Sequence, residues 1–86
     1  MDYEWDESKR ISNLEKHELD FFDLDNFEWN SATYVLSIRQ GEERWLAFGY
    51  MGERLHCVVY TVRGERRRII SFRRSNRKEE QKHAQA

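Results

Sequence analysis

Proline is missing from this sequence, cysteine appears once, and no apolar run comes near membrane-spanning length. The lack of proline decides nothing about the fold. A lone Cys57 excludes an intrachain disulfide and suits a reducing compartment. With His17, His56 and His83 it shows no zinc-ligand spacing, so neither a metal nor a cofactor is expected. A membrane helix needs about 20 apolar residues, and no secretory pattern opens the chain. The expectation is a cytoplasmic protein that stays off the membrane. Length is also short: 86 residues suffice for one domain, 1–86, with a thin stability margin. Five Phe, four Tyr and three Trp offset this, since each brings a large apolar area to a small core. A deep cavity is not expected, and any site should be a shallow groove on a sheet.

Net charge is slight, at −1, yet it conceals a division. Residues 1–30 hold ten acids against three bases, a balance of −7. Residues 31–86 hold twelve bases against six acids, a balance of +6. Nine of those bases lie between Arg54 and Lys78, and eight of the nine are arginine. The planar guanidinium fork suits bidentate phosphate binding. A basic half can attract a polyanion, and an acidic half can meet a basic partner. The plainer alternative is that the halves pair with one another inside a neutral domain.

Residues 3–5 read as a short edge strand. Asp6 is placed to cap a helix over 7–17, with Ile11 and Leu14 on its narrow apolar face. Asp20 can cap a second short helix, about 20–28, whose Phe21, Leu24 and Phe27 recur every third residue as core. From Ala32 the period changes to two. Strands are expected over 34–38, 44–49, 55–62 and 68–73, separated by turns at Gln40-Gly41, Met51-Gly52-Glu53 and Gly64. A polar helix from Ser75 follows. The fold class is therefore α+β: two N-terminal helices, an antiparallel β-meander and a C-terminal helix. A two-residue loop at Gly64-Glu65 sets Tyr60 opposite Ile69 and His56 opposite Arg73. His56, Val58, Tyr60, Ser71 and Arg73 then share one face, with Cys57, Val59, Ile70 and Phe72 on the core face.

In order and in wording, the chain resembles the BrnT family of toxins. Tyr3-Glu4-Trp5-Asp6 is similar to that family's aromatic-Glu-Trp-Asp opening. Lys9, Asn13 and Lys16-His17 fall where its first helix carries Lys, Asn and Lys-His, and Phe21 matches the start of its second helix. Gly41-Glu42-Glu43-Arg44-Trp45 resembles its Gly-Glu-x-Arg-Trp lead-in to the next strand. Thr61-Val62-Arg63-Gly64 and Arg68-Ile69-Ile70-Ser71-Phe72-Arg73-Arg74 resemble its Thr-x-Arg-Gly hairpin and its Arg-Ile-Ile-Ser-Ala-Arg-Arg ending. The departures are Glu18 for glycine, Tyr60 for histidine, and Phe72 and Ser75 for alanine. The resemblance implies a RelE/ParE-like fold and a ribonuclease toxin of a type II toxin–antitoxin system. It also implies a ribbon-helix-helix, BrnA-like antitoxin in a 2:2 heterotetramer.

Metal-free RNA cleavage needs a base for the 2′-hydroxyl proton, cations for the phosphorane-like transition state and an acid for the leaving oxygen. Relatives of RelE work with Arg, Lys and Tyr. By that resemblance the catalytic candidates are Tyr60, Arg63, Arg73, Arg74 and His17. The RNA-contact candidates are Lys9, Lys16, Arg44, His56 and Arg68. His56, Tyr60 and Arg73 are expected to border the groove, with Arg63 and Arg74 at its ends. Each has a duller use. Arg73 and Arg74 suit a solvated charge run, Arg68 a salt bridge to the acidic half, and Arg63 a turn. Lys16-His17 suit the helix C-terminus, and His56 a hydrogen-bonded core position. Tyr60, ordinarily ionising near pH 10, needs surrounding cations to act as a base. Two other functions fit the residues. One is a non-catalytic protein of the same fold, acting only through antitoxin or RNA binding. The other is an RNA-binding module with Trp45, Phe48 and Tyr50 as stacking platforms.

Overall fold

A computed structural model describes residues 2–84. Strands β1 (Asp2–Trp5), β2 (Thr33–Arg39), β3 (Glu42–Met51), β4 (Arg54–Arg63) and β5 (Arg66–Arg74) form one sheet in the order β1-β5-β4-β3-β2. Helix α1 (Glu7–His17) follows β1, and helix α2 (Arg77–Ala84) follows β5. The four strands from β2 onward are the expected meander. Its three hairpins close through two-residue loops, at Gln40-Gly41, Gly52-Glu53 and Gly64-Glu65. Each loop holds residues at positive φ (Gln40, Gly41, Gly52 and Gly64), the backbone that matches strand twist in tight hairpins. The sheet is mixed rather than wholly antiparallel, because β1 lies parallel to β5, Asp2 beside Arg66 through Trp5 beside Ile69. Neither helix is long and apolar enough to cross a membrane.

The expected second helix is instead a 3-10 segment, Phe21–Asn26, capped by Asp20, which accepts from the Phe22 amide at 3.0 Å. The reason is in the spacing. A 3-10 helix repeats every three residues, so Phe21, Leu24 and Phe27 align on one side without drift. All three are buried and pack on Ala47, Val58, Tyr60, Ile69 and Phe72 of the sheet. A second 3-10 turn, Trp29–Ser31, leads into β2. Gly49 makes this junction possible, since a Cβ there would sit 2.7 Å from Phe27 and 3.1 Å from the Glu28 carbonyl. Gly49→Ala should therefore destabilise the fold by roughly 1–3 kcal/mol of overpacking, measured by denaturant unfolding. An unchanged midpoint would show that Phe27 yields freely.

The expected register holds from Arg63–Arg66 back to Tyr60–Ile69 and then slips. Val59 pairs with Ser71, so Ile70 is an extra residue in β5, a β-bulge. His56 consequently faces Arg74, not Arg73, and Phe72 shares a face with Ile69. The expected faces are thus corrected. His56, Val58 and Tyr60 join Ile69 and Phe72 on the face covered by the 3-10 segments. Cys57, Val59, Ser71 and Arg73 lie on the opposite face, part of which α2 covers. Cys57 is fully buried there, and burial pushes its thiol up to about 11.

Helix α1 is capped by Asp6, whose carboxylate accepts from the Ser8 amide at 2.9 Å. Its inward residue is not Ile11 or Leu14, which are 45% and 39% exposed, but Asn13, which is buried. Because β1 covers only the first half of the β5 edge, α1 finishes it. The Asn13 amide donates to the Phe72 carbonyl at 2.8 Å and accepts from the Phe72 N–H at 3.0 Å. It also donates to Leu19 O at 3.0 Å. One side chain thus acts as a strand toward β5. The chain leaves α1 through Glu18 at φ +58°, a left-handed C-cap where glycine is at ease, which accounts for the glycine of the resemblance.

Candidate functional site

The bulge and α1 together create a polar groove of about 490 Å³. Lys9, Ser12, Lys16 and His17 line it from the helix, and Ile70 and Ser71 from the strand. Two of the RNA-contact candidates, Lys9 and Lys16, and one catalytic candidate, His17, therefore meet here. Arg74 reaches across to donate to the His17 carbonyl at 3.1 Å, fixing the helix end against the strand end. Burial lowers the His17 pKa below its ordinary value, and the charges of Lys16, Arg73 and Arg74 lower it further. The imidazole is consequently neutral at neutral pH, as a proton acceptor must be.

The sheet face that continues from this groove gathers guanidinium groups. Register and alternation put Arg44, Arg63, Arg66, Arg68 and Arg73 on that one face. Arg66 was not among the candidates, although its place two residues before Arg68 is a signal for a shared face. Arg63 and Arg66 are exposed and, among the described residues, form no salt bridge. Arg44 lies 4.0 Å from Glu42, at the limit of pairing. Arg68 is bound to Glu4 at 2.8 Å, the one ion pair among the described residues that joins the acidic first thirty residues to the basic remainder. Mutual neutralisation of the halves therefore does not explain the basic stretch. Arg73 makes a two-point bridge to Glu79 of α2, at 2.8 and 2.9 Å. This holds α2 over the sheet, raises the Arg73 pKa and holds the Glu79 carboxyl below its ordinary value.

Tyr60 and His56 do not join the groove. Tyr60 is 5% exposed on the core face, its ring edge-on to Trp29 with centroids 5.8 Å apart. Burial raises its pKa against the opposing pull of the Arg67 charge, and the raised value favours the protonated hydroxyl. His56 is 4% exposed on the same face, with Nδ1 2.8 Å from the Arg54 carbonyl. Burial lowers its pKa. The expectation that His56, Tyr60 and Arg73 border one groove is therefore overturned: the bulge separates the first two from the third. Arg67, beside Arg66 and Arg68 in sequence, points to the core face and stacks over Trp29 at 3.8 Å.

This fold recurs in a solved relative. The crystal structure of the Brucella abortus ribonuclease toxin BrnT, at 1.1 Å resolution, is similar over 90% of this chain and 99% of its own. The identity is 31% and the TM-score 0.73. No curated protein matches. The family model described as the ribonuclease toxin BrnT of type II toxin–antitoxin systems matches residues 5–79, from Trp5 at the end of β1 to the Glu79 that holds Arg73. By that span and that structural likeness, the chain belongs to the BrnT family of ribonuclease toxins.

Proposed function

We propose that this chain is an RNA endonuclease working without metal in the groove between α1 and β5. The observation that carries the reading is His17 in the groove beside Lys16, with Arg74 bound to its carbonyl, at the edge of the face that bears Arg44, Arg63, Arg66, Arg68 and Arg73. Arg63, Arg66 and Arg68 hold the RNA backbone along the sheet. Lys9, Lys16, Arg73 and Arg74 surround the phosphate that breaks. His17 accepts the proton of the 2′-hydroxyl as that oxygen attacks phosphorus, and the guanidinium and ammonium groups hold the charge on the phosphorane-like transition state. The leaving 5′-oxygen takes a proton from water at the open groove. The products are a 2′,3′-cyclic phosphate and a 5′-hydroxyl. In the RelE-like manner, the scaffold supplies cations more than matched proton donors. A BrnA-like ribbon-helix-helix antitoxin silences it, in a 2:2 assembly, by covering the arginine face with acidic side chains.

The test is expression and then cleavage. The chain alone arrests bacterial growth, and purified protein cuts RNA in excess chelator. Arg74→Ala relieves the arrest and slows cleavage about 100-fold, the scale of losing one charge-stabilising contact. Tyr60→Phe, which keeps the core ring, leaves cleavage within about twofold. A Tyr60→Phe protein as slow as Arg74→Ala would move the chemistry to the other face. Tight RNA binding without cleavage would reduce the chain to a binding module, and antitoxin binding alone would leave only a scaffold.

A further inference from the structure

The two edges of the sheet are treated differently. On one side β1 is four residues long and the rest of the β5 edge is occupied by Asn13 of α1. On the other side β2 runs for seven residues, Thr33–Arg39, with no strand beyond it among the described residues. It contains no proline, has no bulge in its pairing with β3, and carries one charge, Arg39. Four of its residues are exposed hydrophobics: Tyr34 at 38%, Val35 at 43%, Leu36 at 43% and Ile38 at 66%. Protein edges are ordinarily guarded by charges, bulges or short strands, because open N–H and C=O groups invite another strand.

We propose that this edge pairs with the same edge of a second copy of the chain, antiparallel and centred on Leu36. The strand is its own complement in that register. Leu36 meets Leu36, Tyr34 meets Ile38, Val35 meets Ser37 and Thr33 meets Arg39. Tyr34, Leu36 and Ile38 occupy one face by alternation, so the junction gains an unbroken apolar row. The single charge falls opposite a threonine. A parallel pairing in register would set Arg39 against Arg39, and like charges directly opposed destabilise a sheet. The antiparallel junction makes a ten-stranded sheet with a two-fold axis perpendicular to it. Both arginine faces then look the same way.

The experiment is sedimentation velocity on the purified full chain across protein concentration, without antitoxin. The expected species has twice the 10.6 kDa of the chain. Leu36→Lys, at a surface position on the axis, raises the dimer dissociation constant at least tenfold, on the order expected for opposed like charges and a lost apolar pair. Its circular dichroism matches the parent. If that variant fails to fold, Leu36→Cys supplies an independent reading. Mild oxidation links two Leu36→Cys chains through the new thiol, whereas Glu53→Cys, in the β3–β4 loop, does not link. A parent chain that stays monomeric at 100 μM (about that concentration) overturns the proposal. So does a dimer unaffected by Leu36→Lys, or amide protection of β2 that arises only when the antitoxin binds.

Discussion

RNA cleavage by His17→Ala falls by about 100- to 10,000-fold, the usual worth of a positioned general base, while its melting curve stays close to the parent's. The fold tolerates the change because α1 is tied at that point by the His17 backbone carbonyl, which accepts from Arg74, and not by the ring. The pH profile gives a second readout. His17 has its pKa lowered by burial, then by Lys16, Arg73 and Arg74. Its base form therefore fills as pH rises through a value below 6.5, and cleavage has an acid limb there with a plateau at neutral pH. Lys16→Ala removes one of the depressing charges, so the limb moves to higher pH. A limb that stays in place, or a His17→Ala protein with full activity, would remove His17 from the chemistry. The same shift bears on stability. A histidine held below its ordinary pKa binds fewer protons folded than unfolded, so His17 and His56 both make the fold less stable as pH falls below about 6.5.

Asn13→Ala costs roughly 3 kcal/mol, although the residue belongs to a surface helix and is polar. Three backbone groups lose their partner at once, the Leu19 carbonyl and both polar groups of Phe72, and Phe72 itself is completely buried. Each unsatisfied buried group costs about 1–3 kcal/mol, less what water recovers. In a domain of this size the loss lowers the melting temperature by about 12–24 °C, read by calorimetry or circular dichroism. Asn13→Asp is no rescue. It still accepts from the Phe72 amide, but it turns a second oxygen toward two carbonyls. A melting temperature within a few degrees of the parent would mean that α1 is anchored by something other than its amide.

The strands, the hairpins and the caps of α1 and of the first 3-10 segment were legible because each rests on neighbours in sequence. Gly41, Gly52 and Gly64 punctuate period-two runs, and Asp6 and Asp20 each stand just ahead of a helical turn. What failed depended on distant residues. Nothing local announces that Ile70 is unpaired, so counting alternation from the Gly64-Glu65 loop grouped His56, Val58 and Tyr60 with Arg73 and set Cys57 and Val59 beside Phe72, the reverse of the pairing found. The spacing of Phe21, Leu24 and Phe27 fits an α-helix loosely and a 3-10 helix closely, and only the packing against Phe72 and Ile69 selects between them. Ile11 and Leu14 suggested an apolar stripe, whereas the strand edge demanded an amide at Asn13. At the site, Lys9, Lys16 and His17 were candidates through the family resemblance, and the groove that joins them was not read from the sequence. Ser12 and Ser71, which complete the groove, carry no signal of their own in the sequence. Ser75, standing in place of alanine, is buried with an unpartnered hydroxyl, which is a reason for a small apolar residue there.

The unpaired Ile70 also changes what an odd number means in β5. Arg68 and Arg73 are five apart, and unbroken alternation sends residues an odd distance apart to opposite sides of a strand. One supernumerary residue restores parity and lets both guanidinium groups work on one surface while Ile69 and Phe72 share the interior. Losing the extra residue would leave the same pairs as an unbroken ladder, whereas closing the bulge with Ile70 retained would turn the strand's end inside out, with phenylalanine in water and arginine in oil. Within that stretch the bulge and the residue count are one device: as long as Ile70 is present, the ladder must step over it for arginine and phenylalanine to keep their sides.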